Sequence, residues 1–248
     1  MKTFILLIVL AVATLYSCDN STSASPEVSN ICLVDISGSI DNSNLVFYLE
    51  NIQKSIIPFL NEKNSLVLLA IDNGSQTAAV PLFEVDMSNL QFENPADPMT
   101  ARKKLGEQRR KKYLQDISES FISETMKNIE KRKAYAKKTD IFGSLKQINR
   151  YAKNRTNVII FSDMINYSEE SNMEKIINSK ISPLKSIEKM PIVKGNNSIQ
   201  IYVCTGDNTN MGITAYNDLE IFWRTYFSQN EFNLIDYTSS DLKMKATP

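Results

Sequence analysis

From residue 30 onward the chain alternates short apolar runs with stretches whose apolar positions recur every three or four residues. The run 31–36 (ICLVDI) suits a strand buried on both faces, and 66–71 (LVLLAI), 158–161 (VIIF), 199–204 (IQIYVC) and 232–237 (FNLIDY) read as further strands. Leu45, Leu49, Ile52, Ile56 and Leu60 fall at helical spacing, with Asp41 or Ser43 positioned as cap. Residues 77–85 predict a third strand, a hairpin partner of the second. Pro81 lacks an amide hydrogen, so that strand belongs at a sheet edge. Helices are expected over 140–153, over 173–187 with a break or end near Pro183, and over 216–227, where Trp223 packs in the core. Strands alternating with helices predict an α/β protein: a doubly wound, mostly parallel six-stranded sheet with an antiparallel edge strand, in one domain over 30–241. Residues 242–248 remain as a C-terminal tail.

The N-terminus follows a different pattern. Lys2 precedes an apolar run over 4–15, too short to span a bilayer stably and of the length of a secretory signal. The run closes on Leu15-Tyr16-Ser17-Cys18, which resembles the lipobox of bacterial lipoproteins. The resemblance implies a signal peptide over 1–17, lipid on Cys18, and an exported cell-envelope lipoprotein of the bacterial outer membrane. The polar stretch 18–29 then reads as a flexible tether. Cys32 and Cys204 sit in apolar runs on strands that the topology separates, and are expected as free buried thiols.

Composition narrows the chemistry. There is no histidine, so imidazole bases, Ser-His-Asp and Cys-His arrangements and HExxH zinc sites are excluded. Polar side chains remain at the carboxyl ends of the expected strands: Asp35-Ile36-Ser37-Gly38-Ser39, Ser162-Asp163-Met164 and Thr205-Gly206-Asp207-Asn208. Thr139-Asp140 opens the helix leading into the fourth strand. In open parallel sheets ligands bind beyond these strand ends, where strand order reverses. Carboxylates and hydroxyls without imidazole or thiolate suit a hard divalent cation, Mg²⁺ first, with Mn²⁺ or Ca²⁺ as alternatives.

These residues carry a family resemblance. Asp35-x-Ser37-x-Ser39 looks like the DxSxS motif of von Willebrand factor A domains. Thr139, followed by Gly143-Ser144-Leu145, looks like their second motif, and Phe161-Ser162-Asp163 like their third. The resemblance implies a Rossmann-like fold and a metal-ion-dependent adhesion site at Asp35, Ser37, Ser39, Thr139 and Asp163. One coordination position would stay open for an Asp or Glu carboxylate of a protein partner. The chain departs from the family at Met164, where glycine is frequent, and in a long insertion over about 98–138. A competing reading takes Asp35 to Ser39 as a capped turn whose serines bond backbone amides.

Charge adds one further feature. The chain holds 28 Lys+Arg and 28 Asp+Glu, yet residues 102–138 carry 13 basic against five acidic residues. Leu114, Ile117, Phe121, Ile122 and Ile129 make an apolar stripe there, so an amphipathic helix is expected. Its basic face is either plain solvated surface or a docking face for an acidic partner or anionic headgroups. Nucleic acid is not an expected partner of an exported chain.

The expected function is a non-enzymatic, lipid-anchored binding module that engages a protein partner through a divalent cation. The alternatives are a metal-independent scaffold of an envelope complex and a metal-dependent phosphate-ester hydrolase. The hydrolase reading needs a second carboxylate where Ser37 stands.

Overall fold

The computed structural model describes residues 28–75, 80–168, 171, 173, 183–207 and 211–242. The expected signal peptide, Cys18, most of the tether, Asn208 and most of the 173–187 helix lie outside the described residues. The elements run β1 (Val28–Asp35), α1 (Asn42–Ser55), β2 (Asn64–Ile71), β3 (Phe83–Asp86), α2 (Arg102–Arg132), α3 (Ile141–Gln147), β4 (Arg155–Phe161), α4 (Pro183–Ile187), β5 (Ile199–Cys204), α5 (Ile213–Gln229) and β6 (Asn233–Thr238).

The six strands form one sheet in the order β3-β2-β1-β4-β5-β6, with β3 antiparallel to β2 and every other pairing parallel. An α/β chain with a mostly parallel sheet and an antiparallel edge strand is therefore what the apolar runs encode. β1 occupies the middle, so its neighbours β2 and β4 leave in opposite directions and the crevice between β1 and β4 is the switch point.

Two cores explain why the central strands read as unbroken apolar runs. On one face Ile31, Leu33, Val158 and Ile160 meet Phe142 of α3 and Leu219, Phe222 and Trp223 of α5. On the other, Cys32, Val34, Ile159 and Phe161 meet Leu45, Tyr48 and Leu49 of α1 and Leu114, Phe121 and Ile129 of α2. Cys32 and Cys204 are free and buried, as expected, and burial raises both thiols, Cys204 to about 12.

Several boundaries differ from the sequence reading. β1 starts at Val28, so two residues expected in the tether are strand. Ser29 and Asn30, polar residues ahead of the expected first strand, are buried and bonded: Ser29 Oγ donates to the Tyr151 carbonyl at 2.9 Å and Asn30 Nδ2 to the Ser65 carbonyl at 3.2 Å. β3 runs from Phe83, with the Leu82 amide already donating to the Leu68 carbonyl at 2.8 Å and Pro81, which has no amide hydrogen, before it; residues 77–79 of the expected strand lie outside the described residues. The helix expected to reach 153 is α-helical only to Gln147 and ends in a 3₁₀ turn over Ile148–Arg150. Of the two cap candidates for α1, Asp41 accepts from the Asn44 amide at 2.7 Å, while Ser43 Oγ donates to Asp41 itself.

The basic segment is one 31-residue helix, α2. Leu114, Phe121 and Ile129 are buried, and Ile117 and Ile122 pack at the margin of the same core. Its C-terminal end is fixed by Arg132, whose guanidinium meets the buried Asp72 carboxylate at 2.8 Å. No helix among the described residues is long and apolar enough to cross a membrane.

Candidate metal centre

Register brings the three motifs level. Val34 pairs with Phe161, and Asp35 pairs with Ile71, so the residues following β1, β2 and β4 emerge at one edge of the sheet. Ser162 Oγ donates to Asp35 Oδ2 at 2.7 Å across that switch point, joining the first motif to the third. The other oxygen, Asp35 Oδ1, accepts from the Ser37 amide at 2.9 Å. Asp35 is fully buried and has no ion-pair partner among the described residues.

The hydroxyls converge beside it. Thr139 Oγ1 donates to Ser37 Oγ at 2.8 Å, and Ser37 Oγ lies 2.9 Å from Ser39 Oγ. Ser37 and Thr139 are 102 residues apart in the chain and both are buried, whereas Ser39 is exposed. Local structure holds each one. Gly38 donates its amide to the Ala136 carbonyl at 2.9 Å, tying the first motif to the chain that leaves α2. Asp140 caps α3 by accepting from the Gly143 amide at 2.9 Å, and the Thr139 carbonyl accepts from the Tyr167 amide at 2.8 Å. Thr139 is thereby fixed between a helix start and an isolated bridge.

Asp163 is half-buried and accepts from the Ile165 amide at 2.9 Å. Met164, after it, stands at φ 65°, the left-handed region that favours glycine. The backbone therefore adopts a glycine-like conformation although the side chain is methionine. That side chain is fully buried in the α3–α5 core, and the Met164 carbonyl accepts from Trp223 Nε1 at 2.9 Å.

Burial and a neighbouring carboxylate dominate the electrostatics of Asp35. Burial, then the Asp163 carboxylate, push the Asp35 carboxyl up to about 7, against the lowering effect of its bonds to Ser37 and Ser162. Tyr48, whose hydroxyl donates to the Thr205 carbonyl at 2.9 Å, is raised by burial and then by Asp163 and Asp35. Two acidic side chains with three hydroxyls form a donor set of hard oxygens and two negative charges, which fits a small divalent cation. Among the described residues no group of three or more histidine, cysteine, aspartate or glutamate side chains could hold a metal. Coordination here would lean on Ser37, Ser39 and Thr139.

The residues that follow β5 are tied to α1. Gly206 at φ 68° lets the Asp207 amide reach Asn44 Oδ1 at 2.9 Å, pinning the loop to the start of α1. An open groove of about 670 Å³ runs from there past Phe47, Ile213 and Tyr216.

The five residues proposed from sequence thus gather at one strand edge. Sequence reading missed the part played by Ser162 as the direct partner of Asp35, although its place at a strand end beside Asp163 was a usable signal. It also missed Tyr48 and the Ala136 carbonyl, for which local sequence offers none. No family model matches this chain, and no curated protein matches it.

Proposed function

We propose that this chain is a lipid-anchored, non-enzymatic binding module of the von Willebrand factor A type, with a doubly wound sheet. It engages a protein partner through a divalent cation, Mg²⁺ in the first instance. Asp35, Ser37, Ser39, Thr139 and Asp163 would hold the ion. A bound divalent cation supplies a concentrated positive charge to which a partner's Asp or Glu carboxylate can bind. The chain's own part is to bury Asp35 without a competing cation, to fix the Ser37, Ser39 and Thr139 oxygens in contact, and to leave Ser39 open to solvent. The observation that carries this reading is the cluster of three hydroxyls against a buried aspartate that no lysine or arginine neutralises among the described residues. The signal-like run over 4–15 and Cys18 support export and lipid anchoring, with the outer membrane as the proposed location.

Calorimetric titration with Mg²⁺ and Mn²⁺ tests it. We expect saturable binding that is lost in Asp35→Ala and Ser37→Ala, and partner capture that EDTA abolishes. Partner capture unchanged in EDTA defeats the mechanism. The metal-independent scaffold is favoured by one observation: Asp35, with its carboxyl raised to about 7, can sit protonated among its hydrogen bonds without an ion. Absence of heat and of any thermal shift with either metal selects the scaffold.

A further inference from the structure

We propose that the first third of α2 is a membrane-docking face, on which Lys103, Lys104, Lys111 and Lys112 bind the anionic headgroups of the bilayer that carries Cys18. The proposal rests on the lipid-anchor reading only for where the chain is held.

Three observations carry it. The first is charge. Residues 102–112 hold seven basic residues and one acidic, Glu107. The arginines are occupied by the protein itself: Arg102 donates to the Pro95 carbonyl, Arg109 pairs with Asp97 at 2.7 Å, and Arg110 donates to the Leu60 carbonyl. The four lysines are exposed, and none has an ion-pair or hydrogen-bond partner among the described residues. The chain therefore spends its arginines on fixing the helix and leaves its lysines to solvent.

The second is position. Leu60, which receives Arg110, lies just before β2, and the Lys63 carbonyl there accepts from the Val28 amide at 2.9 Å. The chain coming from Cys18 thus joins the sheet at the pole where α2 begins. At 1.5 Å per residue, the helix overhangs Arg110 by about 12 Å. Residues 18–27 span at most about 35 Å when extended, so a bilayer holding Cys18 stays within reach of this pole. Asp35 lies at the other end of the eight-residue β1, about 23 Å away, facing the aqueous side.

The third is apolar exposure beside the lysines. Phe59, next to Leu60, is 63% exposed, and Met99, at the approach to α2, is 88% exposed. Exposed lysines on the helix that Met99 leads into, and that Arg110 anchors beside Phe59, suit the boundary between headgroups and acyl chains. An acidic protein surface would use the charge but give Phe59 and Met99 no apolar phase to enter, so the bilayer is the better match.

Among the described residues the six-stranded sheet and both cores lie within 28–242, so a chain starting at residue 18 with Cys18→Ser keeps them and carries no lipid. It is sedimented with vesicles of phosphatidylcholine alone and of phosphatidylcholine with about one third phosphatidylglycerol, at low and high salt. We expect binding to the anionic vesicles only, weakened by salt. It should fall about tenfold or more when all four lysines become glutamine, with the unfolding midpoint unchanged. Equal binding to neutral vesicles, or no loss in the lysine variant, overturns the proposal, as does retention on an acidic protein but on no vesicle. Labelled palmitate on the intact chain reports the anchor separately. Palmitate incorporation without lysine-dependent vesicle binding refutes docking and spares the anchor. Lysine-dependent binding without palmitate upholds docking and removes the anchor.

Discussion

Trp223 donates its indole Nε1–H to the main-chain carbonyl of Met164 at 2.9 Å, and Met164 is held at φ 65° with its side chain fully buried. The only tryptophan of the chain thus fixes the turn that follows Asp163, locking a non-glycine residue in a conformation that glycine adopts freely.

This reverses a familiar order of substitutions. Met164→Ala deletes the buried side chain and keeps the left-handed strain, so it is expected to destabilise by about 2–5 kcal/mol. Met164→Gly leaves the same cavity but relieves about 1 kcal/mol of backbone strain, so it should be the less damaging of the two. Urea unfolding of both variants checks this. A glycine variant less stable than the alanine variant contradicts it.

Asp35 sets a pH dependence. Its carboxyl is raised from an ordinary 3.8 to about 7 by burial and then by Asp163, so between these pH values the folded chain binds a proton that the unfolded chain has released. Stability from this group is complete below about pH 4 and is lost as pH rises through about 7. In EDTA, unfolding midpoints should fall across that window, and Asp35→Asn should flatten the trend. Saturating Mg²⁺ should also flatten it, because a bound cation favours the carboxylate. Midpoints that rise with pH across the window, beyond those of Asp35→Asn, run against the assignment.

Arg132 is expected to matter to the site without touching it. Its partner Asp72 is fully buried, so Arg132→Ala strands a charge and should cost about 3–5 kcal/mol by urea unfolding. The same end of α2 leads to Ala136, which receives the Gly38 amide, so Mg²⁺ affinity should weaken as well. Full stability in Arg132→Ala rules out this role for the pair.

Gly206→Ala adds a side chain where φ is 68° and where its Cβ would lie 2.6 Å from Asn44 Oδ1. Strain at such a position is about 1–3 kcal/mol, and the displaced loop should lose its bonds to Asn44. Thermal unfolding measures the loss. A variant as stable as the parent shows that the loop relaxes freely.

Much of the fold was legible because its signals are local. Runs such as 199–204 are strands buried on both faces, and the apolar stripe on α2 does face a core. The meeting of Ser37 with Thr139 across 102 residues was foreseen through the order of the motifs rather than through periodicity. What escaped depends on which polar groups find each other. Ser29 and Asn30 look like polar chain outside the first strand until their buried partners Tyr151 and Ser65 are known. The pairing of Arg132 with Asp72 spans 60 residues and leaves no mark on the sequence around either. The left-handed turn at Met164 carries a side chain that argues against it.

The position of β1 has a mechanical consequence. Val28, where the preceding chain joins the sheet, opens the central strand, which is zipped to parallel partners along both sides. A pull on the chain at Val28, directed along the strand, loads both hydrogen-bonded ladders in shear. All their bonds then resist together instead of yielding one after another, as they would if an edge strand were peeled. A tug on the leading segment is thus borne by the strongest direction of the fold, and Asp35, at the far end of the same strand, is the last residue to feel it.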